Sequence, residues 1–331
     1  LCSPTGERAR DADKLSLLPM IDSNICMTKL HFSNLDATGL IRFSGPDAQT
    51  FLQGQLSCDV AALQPMHATY GSYNTPKGRM LANFVLWRVG ADFFIQLPRA
   101  LCEPIRKRLS MYILRSKVQA ADVSNEYALF GLVGENAVAG IDIPAAPMTL
   151  KEAVGGWVLR LDSARVEVIV QAAKSTETGE LLKTVAAPAD EAAWDLVAIH
   201  AGIPVITPAT QEEFVPQMAN LDLIGGISFT KGCYPGQEIV ARMHYLGKLK
   251  QRMVLAHVDT GTAPAPGDKV YSADLGDQAS GTIVNAAPVP DGGFDVLAVA
   301  QTSSFGDNGL HLHSLTGPAL KLLPLPYPLE P

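Results

Sequence analysis

The stretch from Asn220 to Arg242 concentrates the side chains that could do chemistry: Asn-Leu-Asp-Leu-Ile-Gly-Gly-Ile-Ser-Phe-Thr-Lys-Gly-Cys-Tyr-Pro-Gly-Gln-Glu-Ile-Val-Ala-Arg. Pro235 suits a helix start, with Gly236, Gln237 and Glu238 in its first turn. Cys233 then stands just ahead of free backbone N–H groups and the positive helix end, between Lys231 and Arg242 in sequence. Such surroundings favour a thiolate, the form that attacks disulfides and binds metals. The same residues also describe a small buried hydrophobe in a glycine-rich loop, the commoner fate of a free cysteine. Residue types alone leave both open.

The other cysteines narrow the chemistry. Cys2, Cys26, Cys58 and Cys102 bring the total to 5, with no CxxC pair. That excludes a zinc ribbon, a thioredoxin-like pair and a stable four-cysteine cluster, and no metal site is expected. It is also no disulfide scaffold, and it points to a reducing, cytoplasmic compartment.

A chain of 331 residues with 47% apolar and 18% charged residues can bury two or three cores. A net charge of −7 offers no clustered basic surface for nucleic acid. No apolar run is long enough to span a membrane. Residues 1–27 lack an apolar signal core and read as an N-terminal extension.

The positioning elements follow in order. Leu40–Phe43 reads as a strand, and Ala48, Phe51, Leu52 and Leu56 as a helix face opened by Pro46 and capped by Ser44 and Asp47. A turn-rich Tyr73–Arg79 leads into a strand from Met80 to Val89, then Phe93–Leu97. Pro98 opens a helix with Leu101, Ile105, Leu109 and Tyr112 on one face. Between 128 and 203 come a strand (Ala128–Val133), a short helix, strands at Trp157–Leu161 and Val166–Val170, and helices at about Glu177–Val185 and Asp190–Ala201. That order suits a split βαβ unit. Beyond Gln251, short β-rich runs broken by Gly, Pro and Asp predict a small barrel or sandwich.

Lys231-Gly232-Cys233-Tyr234-Pro235-Gly236-Gln237-Glu238 resembles the K-G-C-Y-x-G-Q-E signature of the folate-binding YgfZ proteins, a family named for tRNA modification and related to the glycine-cleavage T-protein. Phe51-Leu52-Gln53-Gly54-Gln55, Ala201–Ile206, Phe214–Gln217 and Leu325–Glu330 resemble the family as well. The resemblance implies an α+β, three-domain T-protein-like fold: a folate-binding β/α domain, a ferredoxin-like domain and a C-terminal β-barrel. The expected boundaries are 28–127 with 204–250 for the first, 128–203 for the second and 251–331 for the third.

It implies tetrahydrofolate or a derivative as ligand, in a cavity between the first two domains lined by Trp194 and reached by Glu238. Trp194 shares a helical face with Val197, Ala198 and Ala201, which by pattern alone reads as core. A first family tryptophan has no counterpart, since Thr38 stands there. Arg242 could face a folate tail or pair with Glu238, and Lys231, Tyr234 and Gln237 complete the expected cofactor-binding set. Where the T-protein carries two acids, this chain has Ala82 and Asn83, and an Asn offers neither charge nor a proton acceptor. The expected function is therefore a folate-dependent accessory protein for iron–sulfur enzymes or their assembly factors, with Cys233 as the working thiol and no direct nucleic-acid or membrane contact. The alternatives are a folate-dependent one-carbon transferase and a structural module with a vestigial cavity.

Overall fold

The structure is a computed structural model that describes residues 30–134, 141–153, 155–245, 247, 249–306 and 309–329. The expected N-terminal extension lies outside the described residues.

Chain order begins with β1 (His31–Asn34), β2 (Thr38–Ser44), α1 (Ala48–Gln53), β3 (Ala68–Asn74), β4 (Met80–Val89), β5 (Asp92–Pro98), α2 (Arg99–Ser110) and β6 (Gln119–Asp122). It continues with β7 (Tyr127–Val133), β8 (Thr149–Ala153), β9 (Gly156–Arg160), β10 (Arg165–Gln171), α3 (Ser175–Val185), β11 (Ala187–Pro188), α4 (Glu191–His200) and α5 (Gln237–Tyr245). Last come β12 (Gln251–Val258), β13 (Lys269–Tyr271), β14 (Ala279–Pro288), β15 (Phe294–Gln301), β16 (Leu310–Leu312) and β17 (Ala319–Leu323).

These strands form three sheets. The first has the order β3-β4-β5-β2-β6, the second β11-β1-β7-β10-β9-β8, and the third closes as the barrel β12-β15-β14-β13-β16-β17. Closure leaves the barrel no free edge. By sequence β1 belongs with the first sheet, yet it pairs with β7 antiparallel and with β11 parallel. Alternation along β5 decides what each face of the first sheet buries. Phe93, Ile95 and Leu97 turn toward α1 and α2, while Phe94 turns toward the second sheet, where Leu40, Trp87, Leu159, Ile169 and Trp194 share its core. The outer face of the second sheet buries Val158, Val168 and Val170 against Leu182 of α3.

Several local expectations fail for identifiable reasons. Leu56 lies beyond α1 and bridges to Tyr73. Asp47 makes no cap; its carboxylate accepts the Lys117 N–H at 2.7 Å and so fastens the far edge of the first sheet. Tyr112 falls past the end of α2 and is exposed. Of the short helix expected before Trp157, residues 135–140 lie outside the described residues, and Thr149–Ala153 is a strand. α5 starts two residues after Pro235, because Gly236 takes φ +80°.

From 201 to 236 the chain has no regular element and wedges between the first sheet and the barrel. Met80 N–H donates to Phe214 O and Glu212 N–H to Met80 O, both at 2.8 Å. On the barrel side, Val205 exchanges two bonds with the Asn285 side chain. Arg252 grips Asp222 through both guanidinium nitrogens, at 2.8 and 3.0 Å.

Candidate functional site

Two groups of candidate side chains stand out, one buried and one exposed. The buried group arises from strand alternation in β10. Val166, Val168 and Val170 take the face toward α3, so Arg165, Glu167 and Ile169 point at the first sheet. Glu167 is 1% exposed and Arg165 3%. Across the gap, Gln96 Nε2 donates to Glu167 Oε1 at 2.8 Å. Glu167 Oε2, Gln96 Oε1 and Trp87 Nε1 have no hydrogen-bond partner among the described residues. Burial pushes the Glu167 carboxyl up to about 7, with the Gln96 bond and the Arg165 charge opposing it.

Arg165 is held by Asp162 at 2.8 Å and donates to the Tyr70 hydroxyl at 3.3 Å. Its guanidinium lies 5.7 Å from the centre of the Trp194 ring. Trp194 sits on Gly131, where a Cβ would come within 2.4 Å of the ring. Gly131 is also the registered partner of Glu167. A flat ring, a guanidinium and an unpaired carboxylate oxygen thus adjoin inside the protein.

The exposed group is the thiol loop. Cys233 is exposed. Lys231 Nζ donates to the carbonyls of Gln53 and Leu56 at 2.6 and 2.5 Å and lies 5.0 Å from the Tyr234 ring. Burial pulls the Lys231 ammonium below its ordinary pKa. Gln237 Oε1 accepts the Tyr234 N–H at 3.2 Å. A Cβ on Gly236 would stand 2.5 Å from the Thr75 carbonyl, so only glycine lets the loop rest on this turn. Just before the turn, buried Asn74 leaves both amide atoms without a partner. Ser57 ties in the start of the segment, its Oγ donating to Gly226 O at 2.6 Å.

These contacts redistribute the expected site residues. Lys231, Tyr234 and Gln237 hold the loop in shape, while Glu238 and Arg242 are exposed. Among the described residues no ion pair joins Glu238 to Arg242. Trp194 does not share a core with α5: it belongs to the packing between the two sheets, whereas Val240 of α5 packs with Met80 and Ile206. The acid beside Trp194 is Glu167, which sequence reading missed. Its signal was available, since a charged pair in Arg165-Val-Glu167-Val interrupts a strand that should be buried on both faces.

Two recesses open on the described residues, neither of them lined by Trp194. One, of about 310 Å³, lies between α3 and β1 over Phe32 and Phe130; the other, of about 200 Å³, lies on the barrel beside Tyr327. Between the sheets, Phe94 stacks on Trp87 at 5.6 Å and meets Trp157 at 5.4 Å.

Asn83 has a structural task. Its Nδ2 donates to Pro204 O at 2.6 Å and its Oδ1 accepts the Ile206 N–H at 2.7 Å. An ionised Asp could accept from Ile206 but not donate to Pro204. At the far end of α4, Asp295 of the barrel takes bonds from His200 at 2.6 Å and His257 at 2.8 Å. Burial opposes the charge on Asp295, but these bonds hold its pKa below the ordinary value. Among the described residues no three His, Cys, Asp or Glu side chains are grouped to hold a metal ion, and no helix is long and apolar enough to cross a membrane.

The three sheets define an aminomethyltransferase T-like fold, α+β with a closed C-terminal barrel. The glycine cleavage system aminomethyltransferase T of Bartonella henselae superposes with a TM-score of 0.73, at 15% identity, over 90% of this chain and 86% of that one. Within this class, the tRNA-modifying protein YgfZ of Sodalis glossinidius is 30% identical over 319 residues, 94% of this chain and 96% of the relative. The YgfZ of Colwellia psychrerythraea is 29% identical over 280 residues, 82% and 86% of the two chains. The chain belongs to the YgfZ family. No family model matches it.

Proposed function

We propose that the protein binds a reduced folate between its first two sheets and supports iron–sulfur enzymes, among them those that thiolate tRNA, in the cytoplasm. The observation that carries the folate reading is the buried, unpaired Glu167 Oε2 beside Trp194 and Arg165. A pterin presents paired N–H donors along one edge, and a carboxylate with a vacant oxygen is their natural acceptor. Trp194 and Arg165 offer flat surfaces to a ring, and Gln96 Oε1 and Trp87 Nε1 are an acceptor and a donor still to be satisfied.

When bound, the folate would supply a reduced ring able to carry a one-carbon unit. The protein's own part is to hold it dry and oriented. Glu167, held up to about 7 by burial, becomes fully anionic when N–H donors reach it. Asn83, committed to Pro204 and Ile206, provides no proton acceptor for amine chemistry. This disfavours the transferase alternative: a purified sample should release no ammonia from an aminomethylated carrier protein. Cys233, exposed on its anchored loop, is the thiol free to meet an iron–sulfur enzyme or assembly factor.

Calorimetric titration with tetrahydrofolate tests the folate site. Glu167→Gln, which preserves shape, and Trp194→Ala should each weaken binding at least about tenfold, or 1.4 kcal/mol. An unchanged dissociation constant in either folded variant refutes the assignment.

A further inference from the structure

We infer that the thiol loop lies at the centre of a docking face for a protein partner whose surface is acidic and studded with apolar side chains. The inference rests on the proposed role of Cys233 and adds the kind of molecule that reaches it.

Beyond α2 the chain holds Met111, Tyr112 and Leu114 out in solvent, the first 65% and the last 87% exposed. Leu114 adopts φ +44°, a left-handed conformation that costs a non-glycine residue free energy. From Glu103 to Lys117 five cations (Arg106, Lys107, Arg108, Arg115, Lys117) face the single acid Glu103, in a chain of net charge −7. Glu103 is already engaged by Arg106 at 2.7 Å and Lys107 at 3.3 Å.

A run of neighbours connects this basic tip to the thiol. The Lys117 N–H donates to the Asp47 carboxylate at 2.7 Å, Asp47 leads into α1, and Gln53 at the end of α1 accepts from Lys231. Leu56 O accepts from the same Lys231, two residues before Cys233. On the other flank, α5 exposes Ile239, Arg242 and Tyr245, with His244 stacked on Phe229 at 3.8 Å. Five of the eight large apolar or aromatic side chains left exposed among the described residues therefore belong to the segment after α2 and to α5.

Exposed apolar side chains in a group mark an interaction surface. Cations around them in an acidic protein select an acidic partner by charge complementarity. Phosphate recognition in RNA uses cations and polar donors but gives Met111 and Leu114 nothing to do. A thiol at the centre requires a partner that can present sulfur or metal to it, which a lipid surface does not.

The test uses two short peptides of equal length, each with one cysteine activated as a 2-thiopyridyl disulfide. One carries Glu and Leu around the cysteine, the other Lys and Leu. The Cys233 thiolate attacks the cysteine sulfur, a protein–peptide disulfide forms, and the pyridine sulfur leaves with the bonding pair as 2-thiopyridone, read by absorbance. The acidic peptide should react about tenfold faster at low salt. The double variant Arg115→Glu/Lys117→Glu should erase that preference, and Met111→Ser/Leu114→Ser should slow the acidic peptide several-fold. Both variants should keep the wild-type iodoacetamide rate and tetrahydrofolate affinity, which separates loss of the face from loss of the thiol or the folate site. Equal rates for the two peptides, or an acidic preference that survives charge reversal, overturns the inference. So does bulk tRNA, or a phosphatidylglycerol vesicle, that shields Cys233 from iodoacetamide in the wild type and not in the charge-reversed variant.

Discussion

The inter-sheet cluster and the thiol loop solve opposite problems. Glu167, Arg165 and Trp194 are brought together by sheet register, from β10 and α4, and are closed off from water. Their chemistry comes from burial, which lifts Glu167 to about 7 and leaves an oxygen without a partner. The thiol loop is one contiguous peptide held from outside by glycine contacts and the Lys231 clamp, and its cysteine faces solvent. Register gathers buried groups from distant parts of the chain. A clamped loop leaves its thiol in solvent.

The sharpest way to break this division is Cys233→Ser. It should leave tetrahydrofolate affinity and unfolding free energy unchanged, yet abolish restoration of iron–sulfur enzyme activity in cells lacking the protein. Full restoration by the serine variant would reduce the loop to a structural element.

A pH titration of stability addresses the buried half. The Glu167 carboxyl, about 7 when folded against an ordinary 4.5, is protonated more readily in the native state. The unfolded chain gives up that proton first, so stability falls as pH rises from about 4.5 through about 7. The loss amounts to about 3 kcal/mol at 1.36 kcal/mol per pKa unit. Urea unfolding at pH 5 and pH 8 should show most of this difference, about 2.5 kcal/mol, in the wild type and not in Glu167→Gln. Asn83 joins the two halves through the segment at 204–206. Asn83→Ala should cost about 2 kcal/mol for its two buried bonds, measured by the same unfolding, with a smaller effect on the iodoacetamide rate of Cys233.

The loop was legible because its residues are adjacent, so an octapeptide carried the resemblance. The strands were legible too: β4 runs from Met80 to Val89, just after the turn-rich Tyr73–Arg79, and the barrel strands follow their Gly and Pro breaks. Glu167 was not, because its meaning depends on Gln96, seventy-one positions away, and on which face of β10 meets another sheet. The surroundings of Glu238 were illegible for the same reason. A carboxylate in a motif looks like a ligand, but nothing in the motif says that Gly236 rests on Thr75 and leaves Glu238 in solvent. The role of Asn83 was half legible: its lack of charge was evident, its clasp on Pro204 and Ile206 was not.

The pairing of β1 has a consequence for how the chain is made. His31–Asn34 leaves the ribosome roughly a hundred residues before its partner β7, and Ser33 waits 157 positions for Asp190, whose carbonyl its hydroxyl reaches at 2.9 Å. Contacts so distant in sequence form late and slowly. Until then, Leu129, Phe130, Leu132 and Val133 of β7 offer an apolar strand with one side unpaired, the kind of edge that recruits a second copy. Deleting residues up to Asn34 would make that transient hazard permanent, so the shortened protein should aggregate even though the barrel and the thiol motif remain complete.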